Sequence, residues 1–430
     1  MTDRIFAGNI DISALRAQFP ALAATDEGQS RIYFDNPAGT QVPLGVVERM
    51  SSCLLEANAN IGGYFRTSQL ATRTIEEARQ VLADFLNAPS PDEIIFGQNM
   101  TSLTLHIARS LGKVLGPGDE IIVSQMDHDA NVWPWELMAR DHGLTVRRLP
   151  FDTESYEFDL KVLDDLLNER TRLVCIGGAS NLTGTINDIG SICARARSAG
   201  AWTYVDAVQS APHVATDVMQ IGCDFLVCSA YKFFGPHQGV LWARREVLER
   251  LEPYRLRPAP AKPPGSFEPG TQSHEGIAGT AAAVEYFADI GRAIGAGSEN
   301  ADTGLRERTL LVHAAMRALF AEEHRLAKRL IDGLQVLRGT TIHGITATDA
   351  LHRRVSTVSF THDRHASASI AEALAARNIF VWSGHNYAVE AVSLLGLMES
   401  GGVVRIGAVH YNTLDEVDTL LNALEDILNA

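Results

Sequence analysis

Lys232 is the residue with the most evident chemistry in the chain. It ends an apolar stretch that begins at Phe225, and a Gly-Pro break follows at Gly235. Burial disfavours a charged ammonium, so a lysine at the end of a buried strand is costly unless the protein uses it. A desolvated lysine is a good amine for forming a Schiff base. Because the same lysine could simply reach the surface where the strand ends, the hypothesis depends on the polar residues that accompany it.

Other polar residues follow similar apolar strands. Asp206 ends the segment WTYVDA, with Gln209 shortly after it, and His128 and Asn181 follow two further strands. A buried carboxylate needs a cationic partner, and the protonated pyridine nitrogen of pyridoxal phosphate would serve. Gln209 could donate to the phenolic oxygen of that ring, and the imidazole of His128 could stack on it. Each residue alone has a plain structural interpretation, but the set favours a pyridoxal phosphate site.

The phosphate group of this cofactor also has candidate donors. Thr101 begins a predicted helix, where free N–H groups and a hydroxyl favour an anion. Met100 comes just before it, Ser229 and Tyr231 follow the strand that leads to the lysine, and Thr271 lies in a segment rich in Pro and Gly. Taken alone, Thr101 is more simply a helix cap.

Apolar strand-like segments alternate with helical ones from about residue 93, as in EIIFG, EIIVSQ and RLVCIGGAS. Repeated strand–helix units predict an α/β fold with a mostly parallel sheet covered on both faces. Ligands of such sheets bind outside the carboxyl ends of the strands, where the polar residues above are expected. We divide the chain into an arm at 1–30 that packs with the small domain, a large cofactor-binding domain at 31–289 and a small α+β domain at 290–430.

Composition excludes several classes of protein. The chain has 430 residues, of which 46% are hydrophobic and 21% charged, and its formal net charge is −15. Such a charge argues against nucleic acid or an anionic membrane as a partner. No long apolar run predicts a membrane span, and the first residues lack the apolar core of a secretory signal. The five cysteines form no CxxC motif, so we expect no metal site, no disulfide framework and a cytoplasmic location.

Four short motifs occur in a characteristic order: HxA at His128, SNxxGT at Ser180, VDxxQ at Val205 and SxxK at Ser229. With these motifs the chain resembles the class V aminotransferase group of fold-type I pyridoxal phosphate enzymes, and within it the cysteine desulfurases and desulfurase-like proteins. The resemblance runs from YFDNPAGT near residue 33 to VRIGAVHYNT, which ends at residue 413. It implies a large domain with a seven-stranded, mostly parallel sheet, a smaller C-terminal domain, and a homodimer with shared active sites.

The resemblance also implies roles for individual residues. Lys232 would form the internal aldimine with pyridoxal phosphate, Asp206 would pair with the pyridinium, and His128 would stack on the ring and move protons. Gln209 and Asn181 would contact the ring oxygen.

The resemblance also implies which residues bind the phosphate of the cofactor and the carboxylate of the substrate. Thr101, Ser229 and Tyr231 would hold the phosphate, and Thr271 would reach in from the other subunit. Arg405, in VVRIG, matches the arginine that binds the α-carboxylate of the substrate, a task that suits the guanidinium fork.

One departure from the desulfurases concerns the loop cysteine that attacks the substrate sulfur. The matching segment, which runs from VWSGHNY to VVRIG, has no cysteine, and Tyr387 is the nearest match. Trp382 replaces the arginine that usually precedes this loop. We assign Tyr387, His385 and Asn36 as substrate contacts, although the first two could equally pack. Trp382 and Tyr64 together indicate a more aromatic pocket than cysteine requires.

The sequence therefore predicts a pyridoxal phosphate-dependent enzyme acting on a small amino acid. Its reaction would be a C–S or other β-elimination, as in a lyase, or amino-group transfer. The alternatives are an amino acid epimerase and a non-catalytic accessory protein with the same fold. A nucleotide-binding domain is disfavoured because no GxGxxG follows the first strand and no Walker lysine occurs.

Overall fold

The computed structural model describes residues 10–296 and 304–429. Residues 1–9 of the predicted arm, and residues 297–303 and 430 of the predicted small domain, therefore lie outside the described residues.

Within the described residues the chain forms short and medium strands, which we number in chain order. They are β1 Thr25–Asp26, β2 Gln29–Ser30, β3 Ile32–Tyr33, β4 Ile94–Gly97, β5 Glu120–Ser124, β6 Thr145–Leu149, β7 Thr171–Gly177, β8 Trp202–Asp206, β9 Phe225–Ser229, β10 Gly239–Ala243, β11 Thr340–His343, β12 Thr357–His362, β13 Ile379–Phe380, β14 Trp382–Gly384 and β15 Val403–Gly407.

The α-helices of the same residues are numbered likewise. They are α1 Ile12–Arg16, α2 Leu44–Glu56, α3 Arg66–Phe85, α4 Met100–Leu111, α5 Trp133–His142, α6 Leu160–Leu166, α7 Ile189–Ser198, α8 Val218–Ile221, α9 Arg245–Leu248, α10 His274–Ala293, α11 Glu307–Val336, α12 Ser367–Ala375, α13 Val389–Leu394 and α14 Leu414–Asn429. Short 3₁₀ helices lie at Pro20–Ala23, Pro91–Glu93, Asp129–Asn131, Ala230–Lys232, Gly265–Phe267 and Thr348–Arg353.

The larger sheet has seven strands in the order β4-β10-β9-β8-β7-β5-β6. The run from β6 to β9 is parallel throughout, and β10 is antiparallel to both of its neighbours. The mostly parallel α/β sheet expected from the sequence is confirmed. It places the carboxyl ends of β5, β7, β8 and β9 side by side at one edge.

Apolar cores cover both faces of this sheet. In β7, Val174 and Ile176 pack into the core that α2, α3 and α10 cover, whereas Leu173 and Cys175 pack into the core under α4 and α5. Successive side chains of a strand point to opposite faces, so both sets of positions must be apolar. This explains why the strands read as continuous apolar runs.

A second sheet, with the order β11-β12-β15-β14, is antiparallel and belongs to the C-terminal part of the chain. Long helix α11 joins the two parts, because Leu311 and Val312 pack into the first core and Leu330 and Leu334 into the core of the second sheet. Helix α10 continues through the boundary predicted at 289–290. The packing changes within α11 instead, and the predicted domain limits stay predictions.

The described part of the N-terminal arm contacts both halves. Phe19 packs edge-on against Phe234 and Tyr286 of the first core. Arg16 forms an ion pair of 2.5 Å with Glu416 of α14. The arm therefore lies against the large core as well as against the C-terminal part.

No helix in residues 10–296 or 304–429 is long and apolar enough to cross a membrane. The same residues contain no group of His, Cys, Asp and Glu side chains placed to hold a metal ion.

Candidate active site

A cavity of about 330 Å³ lies at the carboxyl ends of the parallel strands. It brings together most of the residues singled out in the sequence. The lining residues are Ala38, Met100, Thr101, Asp127, His128, Ala130, Gly177, Ala179, Asn181, Asp206, Val208, Gln209, Ser229, Tyr231, Lys232, Trp382, Asn386, Tyr387 and Arg405.

Lys232 ends the 3₁₀ turn that follows β9. Its ammonium donates to the carbonyl oxygens of Pro37 and Ala38, the latter at 2.9 Å. Burial, with a smaller contribution from the positive charge of Arg405, lowers the pKa of Lys232 to about 7. The amine is therefore neutral in a sizeable fraction of molecules near neutral pH, which is the form that acts as a nucleophile or base.

Asp206 ends β8 and is 7% exposed. Its Oδ1 accepts the N–H of Val208 at 2.8 Å. Burial raises the pKa of Asp206 to about 7, and the carboxylate of Asp127 adds to the rise, while the charge of Lys232 opposes it. The site thus contains a buried carboxyl group that lacks a close cationic partner among the described residues.

Asp127 also lines the cavity. The sequence motifs did not identify it as a site residue, although it directly precedes His128. It is buried and accepts hydrogen bonds from Ser124 Oγ at 2.6 Å, Asn131 Nδ2 at 2.7 Å and the Gly177 N–H at 2.9 Å. Burial nevertheless raises its pKa to about 6. Its role is to organise the ends of β5 and β7, and an aspartate at a strand end was the signal that could have revealed it.

His128 is held as a neutral imidazole. Its Nδ1 accepts the N–H of Ala130 at 3.0 Å, so Nε2 carries the ring proton. Burial, followed by the charges of Lys232 and Arg405, lowers the pKa of His128 to about 3. The ring of Tyr387 stacks on it with centroids 5.3 Å apart and an interplanar angle of 17°.

The start of α4 forms one end of the cavity. Asn99 caps the helix by accepting the N–H of Ser102 at 2.9 Å, and the N–H of Met100 donates to Ser229 Oγ at 2.9 Å. Thr101 also lines the cavity here. Unpaired N–H groups and the helix dipole make such an end suitable for an anion.

Arg405 lies on β15 and is buried. Its Nη1 donates to the carbonyl oxygen of Asn181 at 3.1 Å, and Nη2 is 3.8 Å from Asp35 Oδ1. Its Nε and Asp35 Oδ1 are buried atoms without a hydrogen-bond partner in the described parts of the chain. Burial lowers the pKa of Arg405 to about 10, so the guanidinium stays charged near neutral pH. Its free N–H capacity suits a carboxylate ligand.

Gln209 lines the cavity, and its contact with the ring oxygen of the cofactor stays a prediction. Its Nε2 donates to the carbonyl oxygen of Pro37 at 2.7 Å, the same oxygen that Lys232 contacts. Gln209 thus ties the loop after β3 to the floor of the cavity. The ring of Tyr231 stacks on His237 at 5.0 Å while also lining the cavity.

A turn between β14 and α13 carries Tyr387. Asn386 and Tyr387 both have left-handed backbone angles, with φ of 51° and 58°, which are unfavourable for residues with a side chain. The Asn386 carbonyl accepts from Asn181 Nδ2 at 2.7 Å, the Tyr387 carbonyl accepts the N–H of Asp129 at 2.7 Å, and the Tyr387 N–H donates to His385 Nδ1 at 3.0 Å. These bonds hold the backbone of the turn, from which the tyrosine ring lines the cavity. Asn386 was not predicted, and only the tolerance of asparagine for such angles hinted at it.

Two residues assigned to the substrate do not line the cavity. The amide of Asn36 donates to Tyr33 O, Gly407 O and Asn412 Oδ1, and its oxygen accepts from the hydroxyl of Tyr411. Both of its amide N–H groups are used, and the bond to Gly407 joins the loop after β3 to β15. His385 likewise uses Nδ1 inside the turn.

Two further residues lie elsewhere. Thr271 lines separate surface cavities with Gln272 and does not reach the site of its own chain. Tyr64 is 99% exposed and takes no part in the cavity, whereas Trp382 lines it.

No thiol lines the cavity in the described residues. The five cysteines are free and buried. Burial raises the pKa of the Cys228 thiol, which belongs to β9, well above its usual range, so this group stays protonated. A thiolate nucleophile is absent from the described site.

Comparisons with known proteins agree with this fold and site. The family model described as aminotransferase class-V matches residues 32–311 and 303–420. A cysteine desulfurase of Dickeya dadantii is 31% identical over 431 residues, which cover 97% of this chain and 96% of that protein. A probable cysteine desulfurase of Mycolicibacterium paratuberculosis is 32% identical over 97% of this chain and 58% of its own length.

Solved structures give the same result. The apo cysteine desulfurase of Thermococcus onnurineus matches with a TM-score of 0.85 and 29% identity, covering 97% of this chain and 98% of its own. The cysteine desulfurase CsdA of Escherichia coli matches with a TM-score of 0.82 and 28% identity, covering 98% and 99%. The chain therefore belongs to the class V aminotransferase family and is cysteine desulfurase-like. Proteins of this kind are generally enzymes that depend on pyridoxal phosphate.

Proposed function

We propose that the protein binds pyridoxal phosphate through Lys232 and acts on a small amino acid, by elimination at Cβ, including cleavage of a C–S bond, or by amino-group transfer. The observation that carries the proposal is that Lys232, Asp206 and Arg405 face one cavity whose described lining has no thiol. Desulfuration through an enzyme persulfide is disfavoured, because that reaction needs a cysteine at the place that Tyr387 occupies.

The residues fit this cofactor. Asp206 is a buried carboxyl group with a raised pKa, and a cationic pyridine nitrogen beside it would remove the cost of its charge. The start of α4, with Thr101 and Met100, and the hydroxyl of Ser229 would hold the phosphate. When bound, pyridoxal phosphate supplies an electron sink for the electron pair released at Cα of the amino acid.

The chain's own groups then have separable tasks. Arg405 would bind the α-carboxylate and so orient the Cα–H bond. Lys232, with its lowered pKa, would take up the Cα proton as a neutral amine and return a proton as an ammonium. His128 keeps its proton on Nε2 and would face the cofactor ring as a neutral group. Asn181 and Gln209 would position the surrounding loops and the ring oxygen.

A homodimer with shared sites belongs to the same proposal. Thr271 does not line the cavity of its own chain, which agrees with a role in the site of a second copy. Ile61, Phe65 and Leu256 are exposed apolar side chains, at 53%, 60% and 68%, and the first and third line one surface cavity with Thr271. Light scattering on the purified protein should give twice the mass of the chain, and a monomer that retains cofactor would contradict the shared site. The cytoplasmic location expected from the sequence stays a prediction.

The test of the proposed function combines spectra with product assays. The purified protein loaded with pyridoxal phosphate should absorb in the near-ultraviolet or visible range, and borohydride should bleach this band and fix the cofactor to Lys232. A panel of amino acids is then assayed for sulfide or thiol, pyruvate, keto acid and racemised substrate. The matched control is Lys161→Ala, which removes an exposed lysine, against Lys232→Ala.

Each outcome identifies a reaction class. Pyruvate with sulfide or thiol would support elimination, and keto acid without pyruvate would support amino-group transfer. Racemised substrate without net product would replace the proposal with an epimerase. If the wild-type protein binds no cofactor, the proposal is replaced by the alternative of a non-catalytic protein with this fold.

A further inference from the structure

We infer that Trp382 and Tyr387 form an aromatic wall that selects amino acids carrying a planar apolar group beyond Cβ. The inference rests on the proposed function, because it concerns the substrate class of the same site. It is carried by the placement of these two rings relative to Arg405 and His128.

Trp382 is placed by strand register. In the antiparallel pair of β14 and β15, Trp382 stands directly opposite Arg405. Directly opposed residues project from the same face of a sheet, with their Cβ atoms about 4.5–5.5 Å apart. A substrate held by its α-carboxylate on Arg405 therefore has the indole next to it. The indole is 54% exposed although it lines the cavity, so it offers uncovered apolar surface.

Tyr387 is placed by the turn that precedes α13. Its ring is 64% exposed and lies nearly parallel to His128. Two consecutive left-handed residues persist only where the surroundings determine them, and here Asn181, Asp129 and His385 hold the turn. The backbone that carries the ring is therefore held in place, and the ring lies against His128 in the cavity wall.

Two aromatic side chains in the lining of a polar cavity favour a flat ligand group. Aromatic rings stack in offset or edge-on arrangements and bury far more area than a methyl group does. A free thiol gains little from such a wall. S-aryl or S-benzyl cysteine derivatives therefore match the site better than cysteine or its S-methyl derivative.

The reaction on such a compound balances without a further reactant except water. The Cα–H bond breaks, its electron pair forms the Cα=Cβ double bond, and the Cβ–S bond breaks with both electrons leaving on sulfur. The sulfur takes a proton to give the thiol. Water hydrolyses the remaining fragment to pyruvate and ammonium.

The test uses the holoenzyme with S-benzyl-L-cysteine and S-methyl-L-cysteine. Calorimetry measures Kd for both, and thiol and pyruvate release measures turnover. We expect S-benzyl-L-cysteine to bind about tenfold tighter or more in the wild type, and this ratio to fall below about threefold in Trp382→Ala. Trp382→Phe should retain most of the preference, which separates the loss of a ring from a failure to fold. Trp133→Ala removes a tryptophan that is 50% exposed and outside the cavity lining, and should keep the wild-type ratio.

The outcomes separate this inference from the proposed function. Tighter binding of the benzyl compound without thiol or pyruvate supports the aromatic wall and counts against elimination. Equal Kd values for the two compounds, together with pyruvate release, support elimination and contradict the inferred aromatic selectivity. A Trp382→Ala ratio equal to that of the wild type, in a folded variant, also overturns it, as does a holoenzyme that binds neither compound.

Discussion

The carboxyl ends of the parallel strands and the turn at 384–388 line the same cavity, but they are built in different ways. At the strand ends, Lys232 and Asp206 are ionisable groups whose surroundings leave their charges incompletely paired, and both have a pKa of about 7. The turn contributes Tyr387, whose backbone is held by hydrogen bonds. The strand ends therefore supply the reactive groups, and the turn determines the shape of the cavity.

This difference predicts how each region responds to substitution. A change at a strand end alters the charge of a buried group, so it should affect catalysis strongly and can even stabilise the fold. A change in the turn alters backbone geometry, so it should act through stability and specificity. Four experiments test whether the two regions differ in this way.

Removing the amine at the strand end should have the largest effect. Lys232→Ala should lower turnover by about 10²–10⁴-fold or more, because the group that carries the proton and the cofactor is lost. Borohydride should no longer fix the cofactor to the chain, as mass spectrometry of peptides would show. Retention of the wild-type rate in this variant would show that Lys232 is not a catalytic residue.

Neutralising the buried carboxyl group should stabilise the protein when the cofactor is absent. The folded-state pKa of Asp206 is raised to about 7, so the wild type loses stability as the pH rises from the ordinary aspartate value through 7. Asp206→Asn keeps the acceptor for the Val208 N–H and should raise the free energy of unfolding by about 1–3 kcal/mol at pH 8, with a smaller gain at pH 5.

Denaturant unfolding of the apo protein at the two pH values measures this effect. Asp127→Ala is the contrasting variant, because it leaves three buried donors without their acceptor and should be destabilising by about 3 kcal/mol. An Asp206→Asn protein less stable than the wild type at pH 8 would mean that this carboxylate is paired in the fold.

The pH dependence of cofactor loading should be moderate. Burial lowers the pKa of Lys232 to about 7, and only the neutral amine attacks a carbonyl group. The rate at which the apo protein captures pyridoxal phosphate should therefore rise about tenfold from pH 6 to pH 8 and level off above that. Stopped-flow absorbance measures the rate. A rate that keeps rising beyond pH 9, as for an ordinary lysine with a pKa of about 10.4, would show that the amine is not desolvated.

The turn should tolerate glycine and reject a branched residue. Asn386 has φ of 51°, which glycine adopts freely, so Asn386→Gly should change the free energy of unfolding by less than about 0.5 kcal/mol. Asn386→Val should lower it by about 1–2 kcal/mol because of the left-handed backbone. Thermal unfolding of both variants provides the comparison, and equal stability would mean that the turn relaxes to other angles.

Much of the first region could be predicted from the sequence. Lys232, Asp206 and His128 each follow a short apolar run, and the parallel arrangement of such runs requires their ends to meet at one edge of the sheet. Asn36 shows the limit of this reasoning. It occupies a turn-rich loop that is typical of sites, yet the hydroxyl of Tyr411, far away in the sequence, uses its oxygen. Whether a polar side chain is already hydrogen-bonded within the fold depends on distant residues, which a local sequence pattern does not identify.

For the turn at 384–388, the sequence identified the residues but not their positions in the cavity. The lack of a cysteine was visible, but Tyr387 faces His128 because Asn181 and Asp129, in the segments that follow β7 and β5, hold the turn. Similarly, Trp382 meets Arg405 through the register of β14 on β15. A sequence shows which residues alternate along one strand, whereas register depends on the whole sheet.

Local sequence patterns were enough to predict the class of fold, a lysine and an aspartate at the ends of buried strands, and a loop without a thiol. These follow from local apolar patterns and from the physical cost of burying charge. The folded structure was needed to show which polar groups remain unpaired, why burial brings the pKa of Lys232 and of Asp206 to about 7, and which aromatic rings line the cavity. Burial, hydrogen-bond partners and strand register are properties of residues brought together from distant parts of the chain.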